Sequence, residues 1–318
     1  MKKENFIGQK VINGFVLILA FIIITYVFGT VSVLAQSNAP DLEWTHVAED
    51  FTFRSLAVDT EGNIYASSND STITKLDSAG NIMQTFEFQH GVINSLAVDE
   101  EGQIYSGSTD NTARKLDPRG NEIWNYDRHW SSLRAVAVDA ENNLFTGSRD
   151  NSVRKINPDG VRMWTFEEHT GTVNALAVDN EGNIFSGSND NTLRKIDTDG
   201  NELWQYDVHW SSVKAVAVDE NNNVFTGSRD ASVRKIDSEG HRLWTFDGHN
   251  ASVTALAVDN QGNIYTGSAD KTVRKLDAEG NEIWVYRGHE GGILDIALDE
   301  EGNIFVVSSD MTITKLVP

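Results

Sequence analysis

One stretch of the chain combines residue types that could support two kinds of chemistry. His169, Ser188 and Asp190 supply the base, the nucleophile and the orienting acid of a Ser-His-Asp hydrolase. Shortly afterwards, residues 197–202 read DTDGNE, which has the acid spacing with which an EF-hand calcium loop begins. The stretch therefore raises two hypotheses, an acyl-transfer site and a calcium site.

Both motifs recur along the chain. Shifting the sequence against itself in steps of 40 aligns Ser188 and Asp190 with a Ser and an Asp in every copy. A group present in every copy is what each repeat needs in order to fold, rather than a series of active sites. Seven copies are found, at residues 41–80, 81–120, 121–160, 161–200, 201–240, 241–280 and 281–318.

The acidic loop is better explained as a β-turn than as a calcium site. It runs directly into an apolar stretch and lacks the bidentate Glu that an EF-hand carries at its twelfth position. Its counterparts read DSAG, DPRG, NPDG, DSEG and DAEG, which suit a turn and do not preserve metal ligands. We therefore predict turns here and no metal site.

Each repeat contains four short apolar runs separated by turn residues. In residues 161–200 these runs are MWTF, VNALAV, NIFSGS and NTLRKI. Four strands in each of seven repeats predict an all-β fold, a seven-bladed β-propeller of four-stranded blades. The first run, LEWTHV, has outer-strand character without inner strands before it, and the chain ends on a third strand. We expect the N-terminal strand to complete the last blade and close the ring.

The pattern H…V…LAVD…G…GS.D.TVRK resembles that of the WD-repeat family over residues 41–318. This chain departs from the family by having Leu or Ile where the third strand usually carries Trp. Its tryptophans lie instead on the outer strand within D..G...W, which is similar to the Trp-docking motif of quinoprotein-like propellers. These residues are Trp44, Trp124, Trp164, Trp204, Trp244 and Trp284.

The resemblance implies a structural role for the repeated His, Ser and Asp. In WD repeats the buried Asp orients the His, and the Ser completes a hydrogen-bond network that stiffens the blade. We therefore predict no catalytic residues in these groups, and no cofactor, since nothing else resembles a quinone pocket. The predicted network comprises His129, Ser148 and Asp150; His169, Ser188 and Asp190; His209, Ser228 and Asp230; His249, Ser268 and Asp270; and His289, Ser308 and Asp310.

The first 35 residues have the composition of a targeting segment. Lys2, Lys3 and Lys10 precede an almost wholly apolar run from residue 11 to 34, and Ala35 suits cleavage before Gln36. We predict a signal peptide or signal anchor forming a hydrophobic helix, then a linker at residues 36–40. Positive charge before the apolar run places the propeller outside the cytoplasm, secreted or held at the membrane.

The overall charge excludes some partners. The chain carries a formal net charge of −21 at pH 7 and contains no Cys. An acidic surface repels nucleic acid and anionic lipid, so neither is a predicted partner of the propeller. The absence of Cys excludes disulfides and a thiolate nucleophile.

Two repeats, residues 121–160 and 201–240, resemble each other more than the repeat between them. They alone carry HWSS and GSRD. If the loop before each inner strand and the turn after each second strand share one face, their aromatic and cationic side chains form a candidate patch for a protein or an anionic ligand. The patch comprises Trp130, Arg134, Arg149, Trp210, Lys214 and Arg229.

Three functions are compatible with these features. The first is a non-enzymatic scaffold that binds a protein or anionic ligand on one propeller face. The second is a lyase or hydrolase with its site at the central channel, and the third is a structural component of an envelope assembly. An enzyme should interrupt the repeat with one unique polar cluster, and we identify none in the sequence, which favours the scaffold.

Overall fold

The computed structural model describes residues 39–87, 91–207 and 209–318, which form seven four-stranded antiparallel sheets. The first strand is β1 (Asp41–Val47). Blades 1 to 3 contain β2 (Phe53–Val58), β3 (Ile64–Ser68), β4 (Thr72–Leu76) and β5 (Ile82–Glu87); β6 (Ile93–Val98), β7 (Ile104–Ser108), β8 (Ala113–Leu116) and β9 (Glu122–Tyr126); and β10 (Leu133–Val138), β11 (Leu144–Ser148), β12 (Val153–Ile156) and β13 (Arg162–Phe166).

Blades 4 to 6 repeat the same order from the inner to the outer strand. They contain β14 (Val173–Val178), β15 (Ile184–Ser188), β16 (Thr192–Ile196) and β17 (Glu202–Asp207); β18 (Val213–Val218), β19 (Val224–Ser228), β20 (Val233–Ile236) and β21 (Arg242–Phe246); and β22 (Val253–Val258), β23 (Ile264–Ser268), β24 (Val273–Leu276) and β25 (Glu282–Tyr286). Blade 7 contains β26 (Ile293–Leu298), β27 (Ile304–Ser308), β28 (Thr312–Val317) and the first strand, β1.

The ring closes between the two ends of the described chain. β1 pairs antiparallel with β28, with Asp41 opposite Val317 and Val47 opposite Thr312. The inner strands of consecutive blades contact one another, and β26 contacts β2 in the same way. The predicted all-β propeller of four-stranded blades, with the N-terminal strand completing the last blade, is confirmed.

The core lies between consecutive blades rather than inside one sheet. The second strand of every blade is buried along its whole length, because both of its faces pack against neighbours. Phe185 and Leu193 of blade 4 cluster with Val213 and Val216 of blade 5. A methyl group at Gly187 would approach Val213 to 2.5 Å, so only glycine allows this contact.

Tryptophans of five outer strands each fasten their blade to the next one. The indole Nε1 of Trp164 donates to the carbonyl oxygen of Thr198 at 3.0 Å, in the turn after the third strand of the following blade. Its ring lies against Gly200, whose φ of +89° and missing Cβ allow the contact. Trp44, Trp124, Trp204 and Trp244 make the same hydrogen bond. The DxxG turns are therefore docking sites for aromatic rings.

The sequence-predicted N-terminal helix and its cleavage site lie outside the described residues. Within residues 39–87, 91–207 and 209–318, no helix is long and apolar enough to cross a membrane.

Candidate functional site

The repeated histidines of blades 3 to 6 are buried, and both nitrogens of each ring are hydrogen-bonded. In blade 3, Nδ1 of His129 lies 2.9 Å from Oδ2 of Asp150, and Nε2 lies 2.8 Å from Oγ1 of Thr146. Ser152 adds a hydroxyl that donates to Asp150 at 2.6 Å. Blades 4, 5 and 6 repeat this chain around His169, His209 and His249.

The hydroxyl that completes the histidine chain differs from the predicted one. We expected Ser148 and its counterparts to bond to the His, but Ser148 donates to the carbonyl of Ser131 at 3.0 Å and accepts from the backbone nitrogen of Asp150. The partner of the His is Thr146, two residues earlier in β11; side chains at i and i+2 of a strand lie on the same face, and Thr146 is the one within reach of Nε2. Ser188, Ser228 and Ser268 likewise bond to the adjacent loop.

Burial keeps these groups unsuited to hydrolysis. Desolvation lowers the pKa of His209 to about 4, against the attraction of Asp230, so the ring is neutral at pH 7. Burial alone would raise the pKa of Asp150, but hydrogen bonds from His129 and Ser152 hold it well below its usual value. Thr146 has no exposed surface. A nucleophile in this position has no access to a substrate.

Blade 7 has an incomplete version of the network. Nδ1 of His289 lies 3.9 Å from Oδ2 of Asp310, and Nε2 is buried without a hydrogen-bond partner. Nε2 lacks its partner because Val306 occupies the position of the Thr or Ser in blades 3 to 6. Ser308 contacts the carbonyl of Gly292 and the backbone nitrogen of Asp310.

The acidic loop at residues 197–202 is a turn stabilised by its own carboxylate. Oδ1 of Asp197 accepts hydrogen bonds from the backbone nitrogens of Asp199 and Asn201, and the side chain of Asn201 donates to both carboxylate oxygens. The Asn201 side chain is the main cause of the lowered pKa of Asp197. This side-chain-to-backbone bonding is what makes Asp favourable at the start of a turn.

The loops before the inner strands and the turns after the second strands share one face of the ring. The backbone nitrogen of Arg149 donates to the carbonyl of Ser132 at 2.8 Å, and that of Trp130 donates to Asp150. The same bonds join Arg229 to Ser212 and Trp210 to Asp230. Trp130 and Trp210 are 87% and 91% exposed, so neither is packed between blades.

Arg134 and Lys214 line the central channel on this side. They occupy equivalent positions on the inner strands of blades 3 and 5. The cavity there has a volume of about 240 Å³. Arg54, at the same position in blade 1, also lines it and was not among the residues predicted from sequence. The whole ring of equivalent positions is Arg54, Asn94, Arg134, Asn174, Lys214, Thr254 and Leu294.

The channel cations repel one another and are not neutralised. Burial lowers the pKa of Lys214, and the charges of Arg229 and Arg134 lower it further. Burial, then Arg149 and Arg54, lower the pKa of Arg134 in the same way. No carboxylate of the described residues forms an ion pair with any of these five cations. Within the described part of the chain, the hydrogen bond from Nζ of Lys214 goes to the amide oxygen of Asn189, at 2.8 Å.

The predicted patch is thus divided between two places. Arg134, Arg149, Lys214 and Arg229 are close enough to influence one another at the channel mouth. Trp210 lines a separate groove on blade 5 together with residues of β20 and β21. Sequence comparison of repeats found both groups because both lie in the two most similar repeats, but it did not separate them.

Asp295 is a further polar residue of the channel that sequence reasoning missed. The other six repeats have Ser or Ala at this position on the inner strand. Its carboxylate accepts from the backbone nitrogen of Leu56 in blade 1 at 2.9 Å and from that of Ile296. Burial raises its pKa to about 6, despite these hydrogen bonds. The sequence does contain a sign of this residue: when the seven repeats are aligned, Asp295 is the only acid at a position where the others have Ser or Ala.

Comparison with known proteins agrees with this architecture. The family model described as "Outer membrane protein assembly factor BamB" matches residues 149–287 and 229–317, and the model described as "WD domain, G-beta repeat" matches residues 120–157. No curated protein matches the chain. The solved structure titled "Crystal structure of WD40 beta propeller domain of Doa1" superposes with a TM-score of 0.80 at 19% identity, covering 88% of this chain and 97% of that one.

The Trp-docking turns, the His-Asp network and these matches lead to one assignment. The chain belongs to the WD-repeat and quinoprotein-like family of β-propellers.

Proposed function

We propose that this propeller is a non-enzymatic scaffold that binds an anionic segment of a partner protein at the mouth of its central channel. The observation that carries the proposal is the cluster of five cations, Arg54, Arg134, Arg149, Lys214 and Arg229, which lack carboxylate partners in the described part of the chain. Unpaired like charges repel one another, so the cluster is stabilised when an anion enters between them.

The acidic body around the cluster supports this choice of partner. A chain with a net charge of −21 repels most polyanions at long range. Only a ligand that places its negative charge on the channel axis gains from the cations, which favours a short acidic segment over an extended nucleic acid. Propeller families of this kind, including WD-repeat proteins, support interaction with proteins as the general role.

The location we propose is outside the cytoplasm. The charged and apolar N-terminal segment supports export, and the match to a family described as an outer membrane protein assembly factor supports an envelope role. Proteinase K treatment of intact cells and spheroplasts tests this, because an exported propeller becomes digestible once the outer barrier is opened. Protection in spheroplasts contradicts export.

Binding at the channel mouth is tested by calorimetric titration with a hexaglutamate peptide. The variant Arg54→Gln/Arg134→Gln/Lys214→Gln should bind at least about tenfold more weakly than wild type, which corresponds to about 1.4 kcal/mol. The matched control Arg119→Gln/Arg128→Gln/Arg287→Gln removes the same charge from exposed positions elsewhere and should bind as wild type. If both variants lose the same affinity for hexaglutamate, the peptide responds only to the net charge of the protein, and the channel site is refuted.

A second candidate, a hydrolase or lyase acting at the channel, is favoured by Asp295 alone. A carboxyl group with a pKa of about 6 is suited to general acid-base chemistry. If the propeller turns over acidic oligosaccharides, and Asp295→Asn abolishes this activity while the control Arg119→Gln/Arg128→Gln/Arg287→Gln keeps it, the enzyme is favoured over the scaffold. The third candidate, a structural component of an envelope assembly, shares the scaffold's interaction chemistry and differs only in having a permanent partner.

A further inference from the structure

Blade 5 differs in charge from blades 2, 4 and 6 at one position of its outer strand, and this difference indicates a second site on blade 5. In blades 2, 4 and 6 a buried Arg on the third strand pairs with a Glu on the outer strand. Nε of Arg114 lies 3.2 Å from Glu122, Arg194 contacts Glu202, and Nη1 of Arg274 lies 2.5 Å from Glu282. The carboxylate of each pair therefore belongs to the blade itself.

Blade 5 keeps the arginine and replaces the glutamate by a second arginine. Arg234 occupies the position of Arg194 and Arg274, while Arg242 occupies that of Glu202 and Glu282. Relative to its sisters, this part of blade 5 lacks one negative charge and gains one positive charge. Arg242 is exposed and pairs with no carboxylate of the described residues. Blade 5 therefore has no carboxylate at the position of Glu202 in blade 4 and Glu282 in blade 6.

A groove of about 560 Å³ lies over these two arginines. Its walls include Arg234, Arg242, Leu243 and Trp210. Arg234 is buried, and its Nε is unpartnered among the described residues, as are those of Arg154 and Arg194. What distinguishes Arg234 is that it lacks the Glu carboxylate that contacts Nη1 of Arg194 and Arg274.

The acids of the groove do not satisfy this guanidinium. Asp230 lies 3.9 Å from Nη2 of Arg234, and its oxygens already accept from His209, Ser232 and the backbone nitrogen of Trp210. Asp247 lines the groove and is exposed to solvent. Neither acid occupies the position of the missing carboxylate, because Asp230 is bonded to its own partners and Asp247 is solvated.

Trp210 provides the second half of the recognition. Its ring is 91% exposed beside the arginines, while its backbone is fixed by the hydrogen bond to Asp230. Exposed, held aromatic rings next to arginine are the composition of protein-binding surfaces, since the ring contacts apolar atoms and the guanidinium fork binds a carboxylate with two hydrogen bonds. Blade 3 carries the same residue types in Trp130, Arg154 and Arg162.

We propose that the groove formed by Trp210, Arg234 and Arg242 binds a glutamate or aspartate side chain from an acidic segment of a partner polypeptide. The ligand carboxylate takes the place that Glu202 and Glu282 occupy in blades 4 and 6, and the neighbouring peptide lies against the indole of Trp210. This site is independent of the channel mouth, because it uses none of the channel cations.

The test uses the propeller labelled with 5-fluorotryptophan, with the Trp210 resonance identified by Trp210→Phe. The probes are the peptides acetyl-Ala-Glu-Ala-amide and acetyl-Ala-Gln-Ala-amide. We expect the Glu peptide to shift the Trp210 resonance saturably and the Gln peptide to leave it unchanged. In Arg242→Glu the introduced carboxylate should pair with Arg234 as in blade 6, weakening probe binding at least about tenfold without lowering the melting temperature.

Two further variants keep the proposal separate from the channel site. Arg242→Gln should weaken binding without supplying a carboxylate, and the channel variant Arg54→Gln/Arg134→Gln/Lys214→Gln should bind the probe as wild type. The proposal is overturned by an unshifted Trp210 resonance, by equal effects of the Glu and Gln peptides, by undiminished binding in Arg242→Glu, or by loss of binding in the channel variant. Failure of the channel titration leaves these outcomes unaffected.

Discussion

Nε1 of Trp44 donates a hydrogen bond to the carbonyl oxygen of Ser78 at a distance of 3.1 Å. Trp44 lies on the strand that completes the last blade, and Ser78 lies in a turn of the first blade, so this bond crosses the seam of the ring. Nζ of Lys315 donates to the same carbonyl at 3.2 Å and pairs with Glu43 at 2.7 Å. The first and last strands are thus fastened together and to blade 1.

Trp44→Phe should destabilise the propeller by about 1–3 kcal/mol, since it removes a hydrogen bond and part of an aromatic contact at the seam. Urea denaturation followed by far-ultraviolet circular dichroism measures the change. Trp210→Phe is the matched control, because its ring is exposed and should leave the midpoint unchanged. Equal midpoints for wild type and Trp44→Phe would show that the seam does not depend on this docking.

Gly200→Ala should cost more stability than Gly302→Ala. Both glycines have positive φ, +89° and +84°, so both substitutions incur the left-handed backbone penalty of about 1–2 kcal/mol. A methyl group at Gly200 would in addition lie 2.9 Å from the Trp164 ring, whereas Gly302 has nothing within 4 Å. The difference in unfolding free energy between the two variants, about 1–3 kcal/mol, isolates the docking contact. Equal losses would contradict it.

Stability should fall as the pH is lowered from 6.5 towards 4. His209 has a folded-state pKa of about 4, below its ordinary value of 6.5, so in this window the unfolded chain binds more protons than the folded one. The stability that it contributes is complete above pH 6.5 and decreases by up to about 3 kcal/mol on acidification. Urea midpoints measured at several pH values should show a shallower slope for His209→Gln than for wild type. Parallel slopes would refute this assignment.

Asp295→Ser should stabilise the propeller at pH 7.5 more than at pH 4. Burial raises the folded-state pKa of Asp295 to about 6 from 3.8, so the folded chain binds more protons in this window and loses stability as the pH rises. Serine keeps the interblade bond, as Ser55 does for the backbone nitrogen of Leu96. Thermal unfolding at both pH values should give a gain on the order of 1 kcal/mol only at pH 7.5. A gain independent of pH would contradict the expectation.

The architecture was predictable because each level of the sequence indicates the same fold. The 40-residue period, the four apolar runs and the unpaired runs at both ends specify blade number, strand number and closure. The position of a bonding partner along a strand was harder to predict, since a shift of two residues keeps the side chain on the same face but selects a different hydrogen-bond partner. This explains why Ser148 was expected where Thr146 lies.

Residues of the channel and groove were missed for a different reason. Arg54 and Asp295 lie in the first and last blades, outside the two similar repeats from which the patch was predicted. The exchange of Glu for Arg at Arg242 becomes meaningful only when Arg234 is seen beside it across two strands. Comparison of the repeats shows that blade 5 differs from the others, but only the pairing of β20 with β21 shows that Arg234 lacks a Glu partner on the outer strand.

The pairing of Asp41 with Val317 also determines how the ring responds to force. Because the two strands are antiparallel, the beginning of β1 lies beside the end of β28. A load pulling these ends apart would act on one rung of the ladder at a time, opening the seam like a zipper instead of shearing all rungs together. The same strand that closes the propeller is therefore the element through which tension would release it.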